Sequence, residues 1–479
     1  MKKIEYLAVA VLSLLIFSFF YNKGVSFADE GYILHSAQRL FNGELPYKDF
    51  NFIYTPLSLY AISLGFLLFG ESILTGRILV LIIAVITSLS IYLLIKNLTK
   101  NKFISFLSVL VYLSWAPTHI SFPLPINFCI LTGILSLIVF TKIADSKRRE
   151  YYFILGVLVS VTFLFKQNFG ISLFTVYAIL FIFFKNLRQG KVLWYFAGSF
   201  LGILSLGLYL FVTNSLSGFV SHSYYSFDQY FPKHTIKAPS VLTASSPIIS
   251  ILKLAVYLSP LIISLFAIFL SFKSKAKEKL FALSLFVIGY YLVGIYPSTD
   301  YVHLSPLLAL LFLPLIAIFL KDKKYNFLII LLFIAVISAG FYTALFKGFY
   351  RWSAPIIDQK YFSAHPRIKA WINSPDFEKL TYYIQENSGK DDYIYYYLFE
   401  PMFYFITDRK NPTKYLDSFI PDEKLNKEYV KAIKVRNTKL IITSTPSNTW
   451  SDAALPKYII ENYAISATIA GYTVWELNK

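Results

Sequence analysis

The chain reads as long apolar runs broken by short polar connections. Candidate membrane spans fall at about 4–20, 72–95, 103–116, 126–141, 151–165, 169–184, 192–213, 248–272, 280–297, 303–320 and 325–346. A bilayer core takes about 20 apolar helical residues, so the ends of the shorter runs stay open. Every second connection is basic. These carry Lys2 and Lys3, then Lys96, Lys100 and Lys102, then Lys142, Lys147, Arg148 and Arg149. Lys185, Arg188 and Lys191 follow, then Lys273, Lys275, Lys277 and Lys279, and last Lys321, Lys323 and Lys324. Basic loops stay on the cytoplasmic side. The alternation therefore predicts about eleven transmembrane helices, a cytoplasmic N-terminus and an extracytoplasmic C-terminal region. Lys2-Lys3 before Ile4–Phe20 also resembles a secretion signal, with Ser26-Phe27-Ala28 as its cleavage site. The length of the apolar run favours an uncleaved first span.

The first outward loop, residues 21–71, has a pattern of its own. Ile33, Leu34, Ala37, Leu40 and Phe41 share one helical face, and Gly43 ends the run. That spacing predicts an amphipathic helix lying in the membrane interface. Leu45–Phe50 reads as extended. Thr55 as cap and Pro56 at the first helical position open a second helix, which stops at Gly70. It is apolar all round yet too short to cross at about 1.5 Å per residue. From about residue 350 the pattern is that of a small α/β domain. Helices are expected at Asp376–Asn387, Asp422–Asn437 and Asp452–Asn462. Strands are expected at Asp392–Tyr397 and Lys439–Thr443, with a terminal hairpin over Ala464–Leu477 around Gly471. The division is thus a transmembrane domain, 1–349, and an extracytoplasmic domain, 350–479.

Composition agrees with this division. The chain is 56% hydrophobic and 19% aromatic, with a mean hydropathy of +0.57, far more apolar surface than a soluble protein of this length needs. The net charge of +18 is unevenly placed. Residues 1–349 hold 28 basic and 12 acidic groups, and residues 350–479 hold 17 and 15. The excess sits in short loops, so it reads as topology and not as a nucleic-acid surface. The single Cys129 excludes an intrachain disulfide. No zinc-type Cys/His spacing, glycine-rich phosphate loop or nucleophile elbow is present.

Against so few acids, the pair Asp29-Glu30 stands out, just past the first span. Charged groups at a membrane edge are costly unless solvated, paired or functional. Asp29 also suits a helix cap, with Glu30 favouring the helix dipole; the two readings are compatible. Lys166 lies in a tight connection between two apolar runs, as a snorkelling anchor or a pathway residue. The outward stretch 214–247 carries His222, Tyr224, Tyr225, Asp228, Tyr230, Lys233 and His234, residues that suit sugar or headgroup contacts and ordinary interfacial belts alike. Asp300 and His303, three apart at the start of a late span, can share a helix face.

In this order the motifs resemble the C-type glycosyltransferases, the GT-C fold. They are the acidic pair after the first span, Leu45-Pro46-Tyr47-Lys48-Asp49-Phe50, Tyr54-Thr55-Pro56-Leu57, Gly70, Arg77, Lys166-Gln167-Asn168, Asp300-Tyr301-Val302-His303-Leu304 and Phe403–Arg409. The chain resembles the dolichyl-phosphate-mannose protein mannosyltransferases and the bacterial aminoarabinose and lipid-A-type sugar transferases. Relatives often have Pro-Pro at Thr55-Pro56 and Arg-Tyr at Val302-His303, departures that leave the substrate open. The resemblance implies an inverting hexosyl or pentosyl transfer from a polyprenyl-phosphate sugar to an acceptor hydroxyl at the outer face. The acceptor is a glycan, lipid or protein. Asp29 becomes the candidate base, with Glu30 orienting the acceptor or sharing the role. Lys166, Arg77 and His303 become candidates for the leaving phosphate. Asp49, Tyr54, Asp228 and Asp300 are further substrate-binding candidates. No cofactor is assigned; a divalent metal is compatible with the acids, but no ligand cluster has convincing spacing. The alternatives are a transporter or flippase, expected to carry mid-bilayer acids and repeated halves, and a non-catalytic envelope-assembly protein handling lipid-linked saccharide.

Overall fold

The structure is a computed structural model. It describes residues 2–20, 25–188, 190–225, 246–272, 274, 276–295, 301–321, 326–347, 375–397, 400–416, 423–444, 454–469 and 471–478. The chain runs α1 (Lys2–Ser18), α2 (Asp29–Phe41), α3 (Leu57–Phe69), α4 (Ile73–Thr99), α5 (Lys102–Trp115), α6 (Pro125–Ser146), α7 (Arg149–Phe165) and α8 (Gln167–Phe183). It continues as α9 (Lys185–Arg188), α10 (Val192–Val212), α11 (Leu216–Tyr225), α12 (Pro247–Ser271), α13 (Lys277–Gly294), α14 (Tyr301–Leu308), α15 (Phe312–Lys321) and α16 (Asn326–Tyr342). The C-terminal part holds α17 (Pro375–Asn387), β1 (Ile394–Tyr396), α18 (Met402–Thr407), α19 (Glu423–Val435), β2 (Leu440–Ser444), α20 (Ala454–Asn462), β3 (Tyr463–Ile469) and β4 (Tyr472–Leu477). Helices occupy every segment expected to span. Six helices among the described residues are long and apolar enough to cross a membrane; the count of eleven rests on the sequence pattern.

The chain divides into two compact units. One comprises Met1–Tyr21, Ile53–Ser58 and Arg77–Ser353, the other Asn22–Phe52, Leu59–Gly76 and Ala354–Lys479. In the helical unit, contacts tie the basic connections together in groups. Glu5 pairs with Lys96 and Lys102. Lys279 reaches Asp145 at 2.6 Å, Lys191 donates to the Lys147 carbonyl at 2.7 Å, and Asn186 to Glu278 at 3.1 Å.

Apolar helices in lipid gain little from hydrophobicity alone, so close backbone approach and buried hydrogen bonds hold them together. Helices α7 and α10 meet through small residues four apart on each: Gly156 and Ser160 against Gly198 and Gly202. A Cβ on Gly156 would lie 2.2 Å from the Tyr195 carbonyl, and one on Gly198 2.4 Å from the Phe153 carbonyl. The Ser160 hydroxyl lies 2.7 Å from the Gly198 carbonyl and accepts the Gly202 N–H at 2.8 Å. Buried tyrosines cross-link α6, α8, α10 and α13. Tyr177 shares a 2.6 Å bond with Ser136, Tyr195 donates to Phe174 O at 2.9 Å, and Tyr290 donates to Cys129 O at 2.8 Å. Gly198→Val is expected to push α10 off α7 at a cost of about 1–3 kcal/mol. Its readout is a lowered unfolding midpoint in detergent; an unchanged midpoint rejects the close-contact account.

In the second unit the sheet order is β1-β2-β4-β3. β1 and β2 run parallel, Ile394 opposite Leu440, and β4 pairs antiparallel with β2 and β3. The expected hairpin forms, with Gly471 at φ +83°, a conformation only glycine adopts cheaply. All three expected helices and both short strands form. α18 was not expected.

The first-loop helix differs from its expectation. α2 forms and ends before Gly43, but Glu30 through Arg39 are all buried, the polar positions included. It therefore lacks the water-exposed polar face that the pattern predicted. The C-terminal segment covers its polar side. Met402 N–H donates to the Phe27 carbonyl at 3.1 Å, and Tyr404 stacks on His35 at 5.0 Å between ring centres. Gln38 donates to Asp408 at 3.3 Å. Arg39 forks onto Glu44 at 2.8 and 2.5 Å and donates to the Thr413 carbonyl at 3.1 Å. A second correction concerns Thr55. Its hydroxyl does not cap α3; it donates to the Phe163 carbonyl at 2.6 Å.

Candidate functional site

In the second unit, the turn before α2 separates the roles of the two acids. Ala28 occupies the cap position and its side chain offers no acceptor. Ser26 replaces it: its hydroxyl accepts the Asp29 N–H at 3.2 Å, and its own N–H donates to the Glu30 carboxylate at 3.3 Å. Asp29 is thus not the cap; it begins the first helical turn. Glu30 is fully buried and closes the turn, whereas Asp29 is exposed. Both acids sit in the first turn of α2. Gly31 lies directly below, where a Cβ would fall 2.2 Å from the Met402 nitrogen. Gly31→Ala is therefore expected to unseat α18 from α2. The check is faster amide exchange at Met402 and a lower unfolding midpoint; wild-type exchange there would refute the contact.

Asp49 belongs to the same unit and has a local task. Its carboxylate accepts the Leu45 N–H at 2.8 Å and closes the turn in which Tyr47 takes φ +67°.

In the helical unit, the tripeptide Lys166-Gln167-Asn168 joins α7 to α8. Lys166 is extended, at φ −156° and ψ 111°, and its N–H still donates to Thr162 O at 2.9 Å. The turn is tight because Gly170 lies against Phe163, with a Cβ position only 2.3 Å from that residue's Cα. The Lys166 ammonium rests over two rings, 5.0 Å from the centre of Tyr54 and 5.1 Å from that of Phe169. Within that unit, among the described residues, no carboxylate is ion-paired to it. The two amides are straps. Gln167 accepts the Thr55 N–H at 3.1 Å and donates to the Ile53 carbonyl at 2.8 Å. Asn168 donates to Val293 O at 3.2 Å and accepts the Phe169 N–H at 3.0 Å. A half-buried cation is thus held beside the positive end of α8, an arrangement suited to an anion.

The other candidates divide. Tyr54 lies under Lys166. Arg77 is fully buried in the first turns of α4. His303 is half-buried in the first turn of α14. Asp228 and Asp300 lie outside the described residues. Among the described residues no group of three or more His, Cys, Asp or Glu is arranged to hold a metal ion. Sequence reasoning missed the clamp by Gln167 and the strap through Arg39.

A family model described as dolichyl-phosphate-mannose-protein mannosyltransferase matches residues 54–216. That segment contains Tyr54, Arg77 and Lys166 and excludes Asp29 and Glu30. Among curated proteins none matches the chain. Among solved structures, the chain is similar to ArnT from Cupriavidus metallidurans in the apo state, at 12% identity and TM-score 0.57, covering 98% of this chain and 97% of that one. The same protein bound to undecaprenyl phosphate matches at 11% identity and TM-score 0.55, over 98% and 97%. The Archaeoglobus fulgidus oligosaccharyltransferase, in complex with Zn and sulfate, matches at 14% identity and TM-score 0.55, over 99% of this chain and 73% of that one. The chain therefore has the GT-C fold of membrane glycosyltransferases, with a protein-mannosyltransferase-like segment at residues 54–216.

Proposed function

We propose that the protein transfers a monosaccharide from a polyprenyl-phosphate sugar to an acceptor hydroxyl at the outer membrane–water boundary, with inversion. The observation that carries this reading is the GT-C fold together with a half-buried lysine held for an anion. Similarity to a protein solved with undecaprenyl phosphate supports a lipid-phosphate donor. In the proposed step the acceptor oxygen attacks the anomeric carbon while its bond to the phosphate oxygen breaks. The acceptor proton passes to Asp29, and polyprenyl phosphate leaves carrying the electron pair. Lys166 meets the charge that grows on that phosphate. Arg77 and His303 are second candidates for the same charge. Glu30, closing the turn, positions Asp29. A phosphate leaving group is stable as an anion, so one carboxylate suffices.

The alternation of basic loops supports a cytoplasmic N-terminus and an extracytoplasmic C-terminal region. The test is reconstitution of the full chain in liposomes with a radiolabelled polyprenyl-phosphate hexose and a membrane-glycan extract. Donor-dependent label in the extract is expected. Movement of the labelled lipid between leaflets without any transfer would overturn the proposal in favour of a flippase.

A further inference from the structure

The second unit contains an open groove of about 710 Å³, between the Arg39–Asp49 stretch of the first loop, the 410–415 segment and one face of α19. Its lining begins at Arg39, in the last turn of the helix that Asp29 opens, and nothing in the proposed transfer chemistry uses it. Its volume is that of a ligand site. Its electrostatics follow from which charges are already satisfied. Arg39 and Glu44 neutralise one another at the floor. The Asp49 carboxylate holds the Leu45 N–H. Lys410 is taken by Asp391 at 2.7 Å. Glu428 accepts the Tyr415 hydroxyl at 3.1 Å. A hydrogen bond leaves the Asp49 and Glu428 charges in place, and against these two carboxylates stand Lys48, Lys414, Lys431 and Arg436, the three lysines exposed and, among the described residues, none of the four ion-paired. Tyrosines line the wall between them, with Arg436 over the Tyr393 ring at 5.2 Å and Tyr415 edge-on to Tyr429 at 5.8 Å. Four cations against two carboxylates leave an excess of positive charge that attracts an anion. Tyrosine rings and hydroxyls, with the Asn411 and Asn42 amides, suit the alternating apolar faces and hydroxyl edges of sugar rings.

We propose that this groove binds an anionic saccharide, a glycan bearing carboxylate or phosphate groups, and holds it as the acceptor. Calling the ligand an acceptor rests on the sugar-transfer reading; binding itself does not. The experiment uses the full chain in detergent and measures binding by calorimetry without donor. The probes are hexagalacturonate, a phosphorylated mannohexaose, neutral mannohexaose and hexaglutamate. Either anionic saccharide is expected to bind, more weakly as salt rises, and which of them binds tells the carboxylate source from the phosphate source. The triple change Lys48→Gln, Lys414→Gln and Lys431→Gln is expected to weaken it about tenfold or more. Asp29→Asn is expected to bind as the wild type does, so failure of transfer and failure of this site are read separately. Binding of neither anionic saccharide, equal binding of the neutral hexamer or of hexaglutamate, or full affinity in the triple variant overturns the proposal.

Discussion

Asp29→Asn is expected to lower the transfer rate about 10²–10⁴-fold, the range over which a positioned general base acts. The amide keeps the shape and the exposure of the carboxylate but cannot accept the acceptor's proton. The fold is expected to survive, because the Asp29 backbone N–H still reaches the Ser26 hydroxyl and the Glu30 carboxylate still accepts the Ser26 N–H. The measurement is the initial rate at saturating donor, beside the unfolding midpoint of the same preparation. Wild-type turnover in this variant would reject Asp29 as the base. Glu30→Gln separates the pair. Its carboxylate is buried against the Ser26 N–H, so its loss is expected to lower the midpoint as well as the rate. A drop in rate with an unchanged midpoint would instead place Glu30 in the chemistry.

The membrane half was legible because a helix in lipid satisfies its own backbone and needs only length and apolar side chains. Apolar runs therefore became helices where the pattern put them, the run 303–320 as two. The C-terminal strands were legible for a related reason: Leu440–Thr443 is a short buried run and Tyr472–Leu477 an alternating one. The polar side of α2 was not. Its cover is a segment some 370 residues later in the chain, as the Gln38–Asp408 bond shows, and no local periodicity encodes such a distant partner. The motif Phe403–Arg409 was noticed as sequence, but its helical turn was not, because six residues are too few to show a period. The α7–α10 contact carried a readable sign, glycines four apart at Gly198 and Gly202 inside an apolar run. Among the site residues, Lys166 was readable as an isolated charge between two spans. The roles of Gln167 and Asn168 were not, since an amide's task depends on which carbonyls the fold brings to it.

In the proposed reaction the donor side rests on Lys166. Lys166→Met keeps a flexible stem against Tyr54 and Phe169 and removes only the charge. It is expected to lower kcat/KM for the polyprenyl-phosphate sugar about 10²–10³-fold, the usual cost of losing one preorganised donor to a developing anion. The acceptor dependence is expected to stay as it is, because the ammonium is assigned to the phosphate and not to the attacking hydroxyl. The ring contacts set the magnitude. A cation over two aromatic faces keeps part of its stabilisation without water. Lys166→Arg supplies a control with the charge intact. A planar fork is a poor replacement for a compact ammonium between two rings, so partial activity is expected, well above that of Lys166→Met. Should Met, Arg and Lys give the same donor dependence, the lysine is an anchor at the membrane edge and the leaving phosphate must be met by another cation. Arg77, fully buried near the start of α4, is then the next to substitute, and because that change also empties a packed site, its loss of rate counts only if the unfolding midpoint holds.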